Sequence, residues 1–170
     1  MGNGLNSLNS SMETPETKPL MCRGVRGATT ASGNTPEAIV EATRELLQTL
    51  IDLNGISEDE VASVIFTTSP DLTAAYPAQA ARQCGWWQVA LLGAQEIDIP
   101  DGLKLAVRIL IHWNTTKGLG ELKHVYMHGA ERLRPDLYPK NKVVIDDADE
   151  AKSLTEQDEI NPLNQLNEQD

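Results

Sequence analysis

Between residues 22 and 127, short strand-like runs alternate with helix-like ones, and the connections between them are brief. No other feature constrains the chain as much, because each such run must bury one face against another layer. Residues 22–28 (Cys-Arg-Gly-Val-Arg-Gly-Ala) read as a first strand, in which alternation sends Arg23 and Arg26 to opposite faces. Asn34 or Thr35 caps a helix with Pro36 and Glu37 in its first turn. Ile39, Thr43, Leu46, Leu47, Leu50 and Ile51 share one face of that helix, and Asn54-Gly55 stops it. Ser57 and Glu60 have capping-box spacing for a short turn. Residues 62–68 are β-branched and strand-like. A second helix runs from Pro77 to Gly85, and residues 87–92 make another strand. Pro100-Asp101-Gly102 opens a third helix over Leu103–Thr116, and residues 122–127 form the last strand. The predicted order is β-α-β-α-β-α-β, an α/β layered fold.

Charge and composition set the limits of the folded unit. The chain has 170 residues, 14 Lys plus Arg against 25 Asp plus Glu, and a formal charge of −11. That balance excludes the basic footprint of a nucleic-acid binder. No apolar run approaches the roughly 18 residues of a membrane span. Residues 138–170 hold nine acids against three lysines and few apolar side chains, and residues 1–20 are rich in Gly, Asn and Ser. Neither segment can bury enough surface to offset ordering entropy, so both are expected to be disordered. A single domain is expected over 21–137. Cys22 and Cys84 lie far apart with no Cys-x-x-Cys, which suits free thiols in a reducing, cytoplasmic setting.

Several residues could carry chemistry, each with an ordinary alternative. Arg108 interrupts Leu105–Ile111 and is either a side chain snorkelling at a helix surface or a guanidinium aimed at an anion. Glu96 follows a strand and is either an exposed loop acid or a ligand-facing one. Tyr126 is either a core tyrosine or a binding hydroxyl. Arg26 and Arg82 also read as salt-bridge partners. His124 and His128, four residues apart on one strand, would stand about 13 Å apart, too far to share a metal. No motif for a nucleophile, metal or redox cofactor is present.

Five segments together resemble the AroH-type chorismate mutases. They are Arg-Gly-Val-Arg-Gly-Ala-Thr-Thr (23–30), Ser-Pro-Asp-Leu-x-Ala-x-Tyr-Pro-Ala-x-Ala-x-Arg (69–82), Gln-Glu-Ile-Asp (95–98), Gly-Leu-Lys-x-x-x-Arg (102–108) and His-Val-Tyr-x-x-Gly-Ala-x-x-Leu-Arg-Pro-Asp-Leu (124–137). The resemblance covers about 23–137 and leaves out both tails. It implies a single-domain, α+β-like mixed sheet that forms a homotrimeric pseudo-α/β-barrel with sites between subunits. It also implies a monofunctional enzyme that rearranges chorismate to prephenate for Phe and Tyr synthesis. By position, Arg26, Glu96, Arg108 and Tyr126 would come from one subunit, and Tyr76, Ala78 and Arg82 from its neighbour. Leu133 and Arg134 would lie near the cleft. Gly93 stands where relatives carry a cysteine, and Gln79 where they carry a lysine.

The residue types suit that reaction. Chorismate is a dicarboxylate, and its pericyclic shift requires no nucleophile, metal or cofactor. A catalyst works by holding the folded conformer and placing fixed charge where charge develops. On this reading Arg108 donates to the ether oxygen, Arg26 and Tyr126 hold the side-chain carboxylate, and Glu96 accepts from the ring hydroxyl. Gly93 offers only backbone groups, Tyr76 and Ala78 shape the conformer, and Arg82 and Arg134 add positive potential. The competing reading is a non-catalytic trimeric binding or regulatory module on the same scaffold.

Overall fold

Residues 18–137 are described by the computed structural model, so the disorder expected for 1–20 and 138–170 lies, except for 18–20, outside the described residues. The chain divides into two units after Pro135, and every element below belongs to the first. Strand β1 (Met21–Thr30) leads into helix α1 (Pro36–Asn54). Thr35 is the N-cap, its hydroxyl accepting from the Ala38 amide, and Pro36 is preset for the first turn. Asn34 instead receives the amides of Thr73 and Ala74, tying this turn to the loop after β2. Gly55, at φ 69°, ends α1 in the left-handed conformation that favours glycine.

The remaining elements are β2 (Val61–Thr68), α2 (Ala78–Gln83), β3 (Ala90–Gln95), β4 (Ala106–Thr115) and β5 (Val125–Tyr126). The strands form one mixed sheet in the order β3-β2-β4-β1-β5. Strand β4 runs antiparallel to both β1 and β2, whereas β3 is parallel to β2 and β5 is parallel to β1.

Among the described residues, both α-helices pack on one face of the sheet. On β4, Val107, Ile109, Ile111, Trp113 and Thr115 are buried, while Arg108, Leu110, His112 and Asn114 between them are half-exposed. Of these, Ile109, Ile111 and Trp113 join Val25, Val64 and Phe66 of the neighbouring strands and Leu46, Leu47 and Leu50 of α1 in the main core, while Val107 packs with Ile39 and Leu72 in a second cluster. Helix α1 lies so close to β1 that a Cβ on Gly27 would come within 2.9 Å of the Leu46 side chain. The opposite face carries Arg26, Ile65, Thr67, Arg108 and Leu110; among the described residues it has no α-helix over it, and the 3₁₀ turn His128–Leu133 packs against it at Ala28.

One predicted element is wrong. Leu103–Thr116 is not a helix; its centre is the strand β4. The physical reason is period. Leu105, Ala106 and Leu110 make 105–111 look apolar on more than one face, but Val, Ile, Ile, Trp and Thr recur at every second residue from 107, and β-branched side chains fit a pleated surface. The observed order is therefore β-α-β-α-β-β-β. Two strands also shift: the one expected at 87–92 spans Ala90–Gln95, and the one expected at 122–127 contracts to Val125–Tyr126. Among the described residues no helix is long and apolar enough to cross a membrane.

Candidate active site

The uncovered face acquires its charge from strand register. Arg108 of β4 is opposite Ala28 of β1 on one side and Thr67 of β2 on the other. Arg26 lies on β1 opposite Leu110, and Tyr126 of β5 lies opposite Ala28. A cavity of about 430 Å³ opens among Arg26, Ile65, Thr67, Arg108, Leu110, Tyr126, Leu133 and Arg134. Three guanidinium groups thus border one partly apolar hollow. Such forked donors match carboxylates in both geometry and charge.

Glu96 completes this group. Its amide donates to Thr68 O at 2.8 Å, extending the β2–β3 ladder by one residue beyond β3. From there its carboxylate accepts from the Thr67 hydroxyl and pairs with the Arg108 guanidinium. Burial pushes the Glu96 carboxyl up, but the Thr67 hydroxyl and the Arg108 charge outweigh it and hold the group below the usual carboxylate range. Glu96 is therefore a fixed negative charge at neutral pH. Arg108 also lines a smaller hollow of about 280 Å³ with Glu96, Asp98 and Leu103.

Tyr126 is buried at the rim, packed with Ala28, Ala130, Leu103 and Leu133. The Arg134 guanidinium sits 5.7 Å from the centre of its ring, a cation–π distance. Tyr126 is thus both a packed side chain and part of the cavity wall. Arg108 does not snorkel from a helix; it stands on a strand, paired with Glu96.

The other expected residues lie apart. Tyr76, Gln79 and Gly93 line a separate hollow of about 650 Å³ between β3 and the start of α2. Gly93 is on β3, opposite Phe66 of β2, so three strand spacings, about 14 Å, separate it from β1 and Arg26. Ala78 packs against the main core. Arg82 donates to the carbonyl oxygens of Trp86 and Trp87, closing the end of α2.

Sequence reasoning missed Thr67, which orients Glu96 and lines the main cavity. The signal was available: with Phe66 facing the core, alternation places Thr67 on the face of Arg108.

Comparison with known proteins adds an independent line. The family model for type I chorismate mutase matches residues 22–137. The chain is 52% identical over 118 residues to the chorismate mutase AroH of Thermus thermophilus, covering 69% of this chain and 97% of that protein. It is 37% identical over 119 residues to the chorismate mutase AroH of Bacillus subtilis (strain 168), covering 69% of this chain and 94% of that protein. A solved chorismate mutase from Clostridium thermocellum superposes with a TM-score of 0.64 at 45% identity, over 65% of this chain and 98% of that one.

Proposed function

The chain belongs to the type I chorismate mutase family, and on that premise we propose that it converts chorismate to prephenate, for aromatic amino-acid synthesis in the cytoplasm, at sites shared between the subunits of a homotrimer. The observation that carries this reading is the convergence of Arg26, Arg108, Tyr126 and Arg134 on one uncovered sheet face, with Glu96 fixed beside Arg108. Among the described residues that line this hollow, a dicarboxylate would meet three cations, with Glu96 beside one of them.

The proposed mechanism uses the chain's own groups. In the transition state the C–O bond breaks ahead of C–C bond formation, leaving negative charge on the ether oxygen and positive charge on the ring. Arg108 donates to that oxygen, and Arg26 and Tyr126 hold the side-chain carboxylate. Glu96 accepts from the ring hydroxyl and faces the electron-poor ring. These charges are in place before reaction, so little reorganisation opposes the barrier. A 10⁶-fold acceleration corresponds to about 8 kcal/mol, and one well-placed donor supplies about 3 kcal/mol.

Two features support the shared site. Strand β3 is a largely exposed edge, and Tyr76, Trp87, Leu92, Ile97 and Ile99 are exposed apolar side chains on or near it. Edges and patches of this kind are normally covered. The Tyr76–Gly93 hollow also lies across the sheet from Arg26, so a second copy would bring Tyr76, Ala78 and Arg82 to one substrate. Residues 21–137 form the catalytic unit on this reading. The test is loss of chorismate absorbance with purified protein; turnover to prephenate is expected, and a folded protein without turnover would favour the binding-module reading.

A further inference from the structure

Strand β5 is only two residues long, yet it carries Tyr126. Its ladder to β1 consists of Gly27 opposite Val125 and Ala28 opposite Tyr126, followed by the Met127 amide donating to Ala28 O at 3.0 Å. On the other side of this short ladder a side chain takes over. The Arg26 amide donates to Nδ1 of His124 at 3.3 Å. The residue before, Lys123, is held independently: its amide and its carbonyl both pair with the buried Asn54 side chain, at 2.8 and 2.9 Å.

We propose that His124 is a positioning residue for the substrate-carboxylate clamp: its neutral Nδ1 ties the strand that bears Tyr126 to the strand that bears Arg26, so that substrate affinity depends on the protonation of this imidazole. The inference rests on the reading that Arg26 and Tyr126 hold a substrate carboxylate. Nδ1 accepts an N–H only when the ring proton is on Nε2, and protonation replaces the acceptor with a second donor facing the amide. Among the described residues, the charges that act on the ring are Arg26 of β1 and Arg134, just after the 3₁₀ turn His128–Leu133, both cations. Burial, then these two charges, hold the imidazole below the ordinary histidine value. The ring is accordingly an acceptor at neutral pH and loses that role only in acid.

The experiment is KM and kcat for chorismate from about pH 5 to 8, in the wild type and in His124→Asn, His124→Ala and Arg26→Ala. Asn offers an acceptor near the Nδ1 position that does not titrate. In the wild type, KM should rise about fivefold toward acid while kcat changes less than about twofold, the scale of one net hydrogen bond. His124→Ala should show the raised KM at every pH, and His124→Asn the low KM at every pH. An acid rise that persists in His124→Asn overturns the proposal, as does a His124→Ala KM equal to wild type at the alkaline end. Should His124→Ala fail to fold, the Asn profile decides alone. If Arg26→Ala leaves KM unchanged, the reading of the clamp itself fails. If Arg26→Ala raises KM while both His124 variants behave as wild type, only the positioning role is lost.

Discussion

Glu96 and Arg108 form an ion pair between a residue just past β3 and the middle of β4, and Thr67 on the strand between them donates to the same carboxylate. The pair therefore spans three adjacent strands of the sheet. Each member orients the other, so the Arg108 guanidinium is held at the cavity wall rather than swinging through solvent. Preorganisation of this kind is what electrostatic catalysis requires.

Replacing Arg108 with a neutral side chain of similar shape should therefore be the costliest single change. Arg108→Gln is expected to lower kcat by at least about 10²-fold in a protein that still folds and melts cooperatively. Steady-state kinetics and thermal unfolding measure the two quantities separately. A variant that retains more than about a tenth of wild-type kcat would remove Arg108 from the central role.

The depressed titration of Glu96 has a definite consequence for stability. A carboxyl whose folded pKa lies below its unfolded value contributes stability above the unfolded value, and that contribution disappears as pH falls through the folded one. Wild type should therefore melt above Glu96→Gln at neutral pH, with the gap closing below the ordinary glutamate range. Melting temperatures from about pH 3 to 7 test this. A gap that stays constant into strong acid would mean that Glu96 contributes through shape rather than charge.

Two glycines should respond oppositely to alanine. A Cβ on Gly27 would meet Leu46 Cδ1 and the Val125 carbonyl oxygen, each at 2.9 Å, whereas one on Gly93 would meet nothing within 4 Å. Gly27→Ala is expected to cost about 1–3 kcal/mol by overpacking α1 against the sheet, and Gly93→Ala less than about 0.5 kcal/mol. Denaturant titration gives both values. Equal costs would mean that α1 yields easily.

A charge on the exposed face of β3 should break the shared site. Leu92 is 61% exposed there. Leu92→Asp is expected to give a folded species smaller than a trimer, with kcat/KM reduced more than about tenfold because substrate loses one wall. Sedimentation and activity at the same concentration report this. A fully active trimer would place the interface elsewhere.

Removing residues 139–170 should leave kcat nearly unchanged. The acidic charge of that segment, −6 over 138–170, is screened over about 8 Å at physiological salt. A loss greater than about tenfold would give the segment a part in the site.

Local rules account for much of the first half of the fold. Thr35-Pro36 and Gly55 are strong boundary signals, and the apolar stripe from Ile39 to Leu50 settled α1 as a helix. The strand expected at 62–68 was legible because it is β-branched between turn residues, and it spans Val61–Thr68. The third predicted helix failed because Pro100-Asp101-Gly102 resembles a helix start, although β-branched propensity and a period of two over Ala106–Thr115 both favour a strand. Strand β5 was overextended because pairing with β1, which sets its length, is not encoded locally. As for the site, Arg26, Arg108 and Tyr126 were each ambiguous alone. Their meeting depends on the order β4-β1-β5, which no local pattern contains. The resemblance to a known family supplied that grouping; Thr67 lies outside the resembling segments, and the sequence presents His124, though within one, only as a candidate metal ligand.

The most direct test is chorismate consumption by the purified protein in the presence of EDTA and without added cofactor, run beside Arg108→Gln. Rapid formation of prephenate by the wild type, and loss of at least about 10²-fold in the variant, is the expected result. Equal rates for the two proteins, or no turnover by a folded wild type, would contradict catalysis by the Arg108 charge.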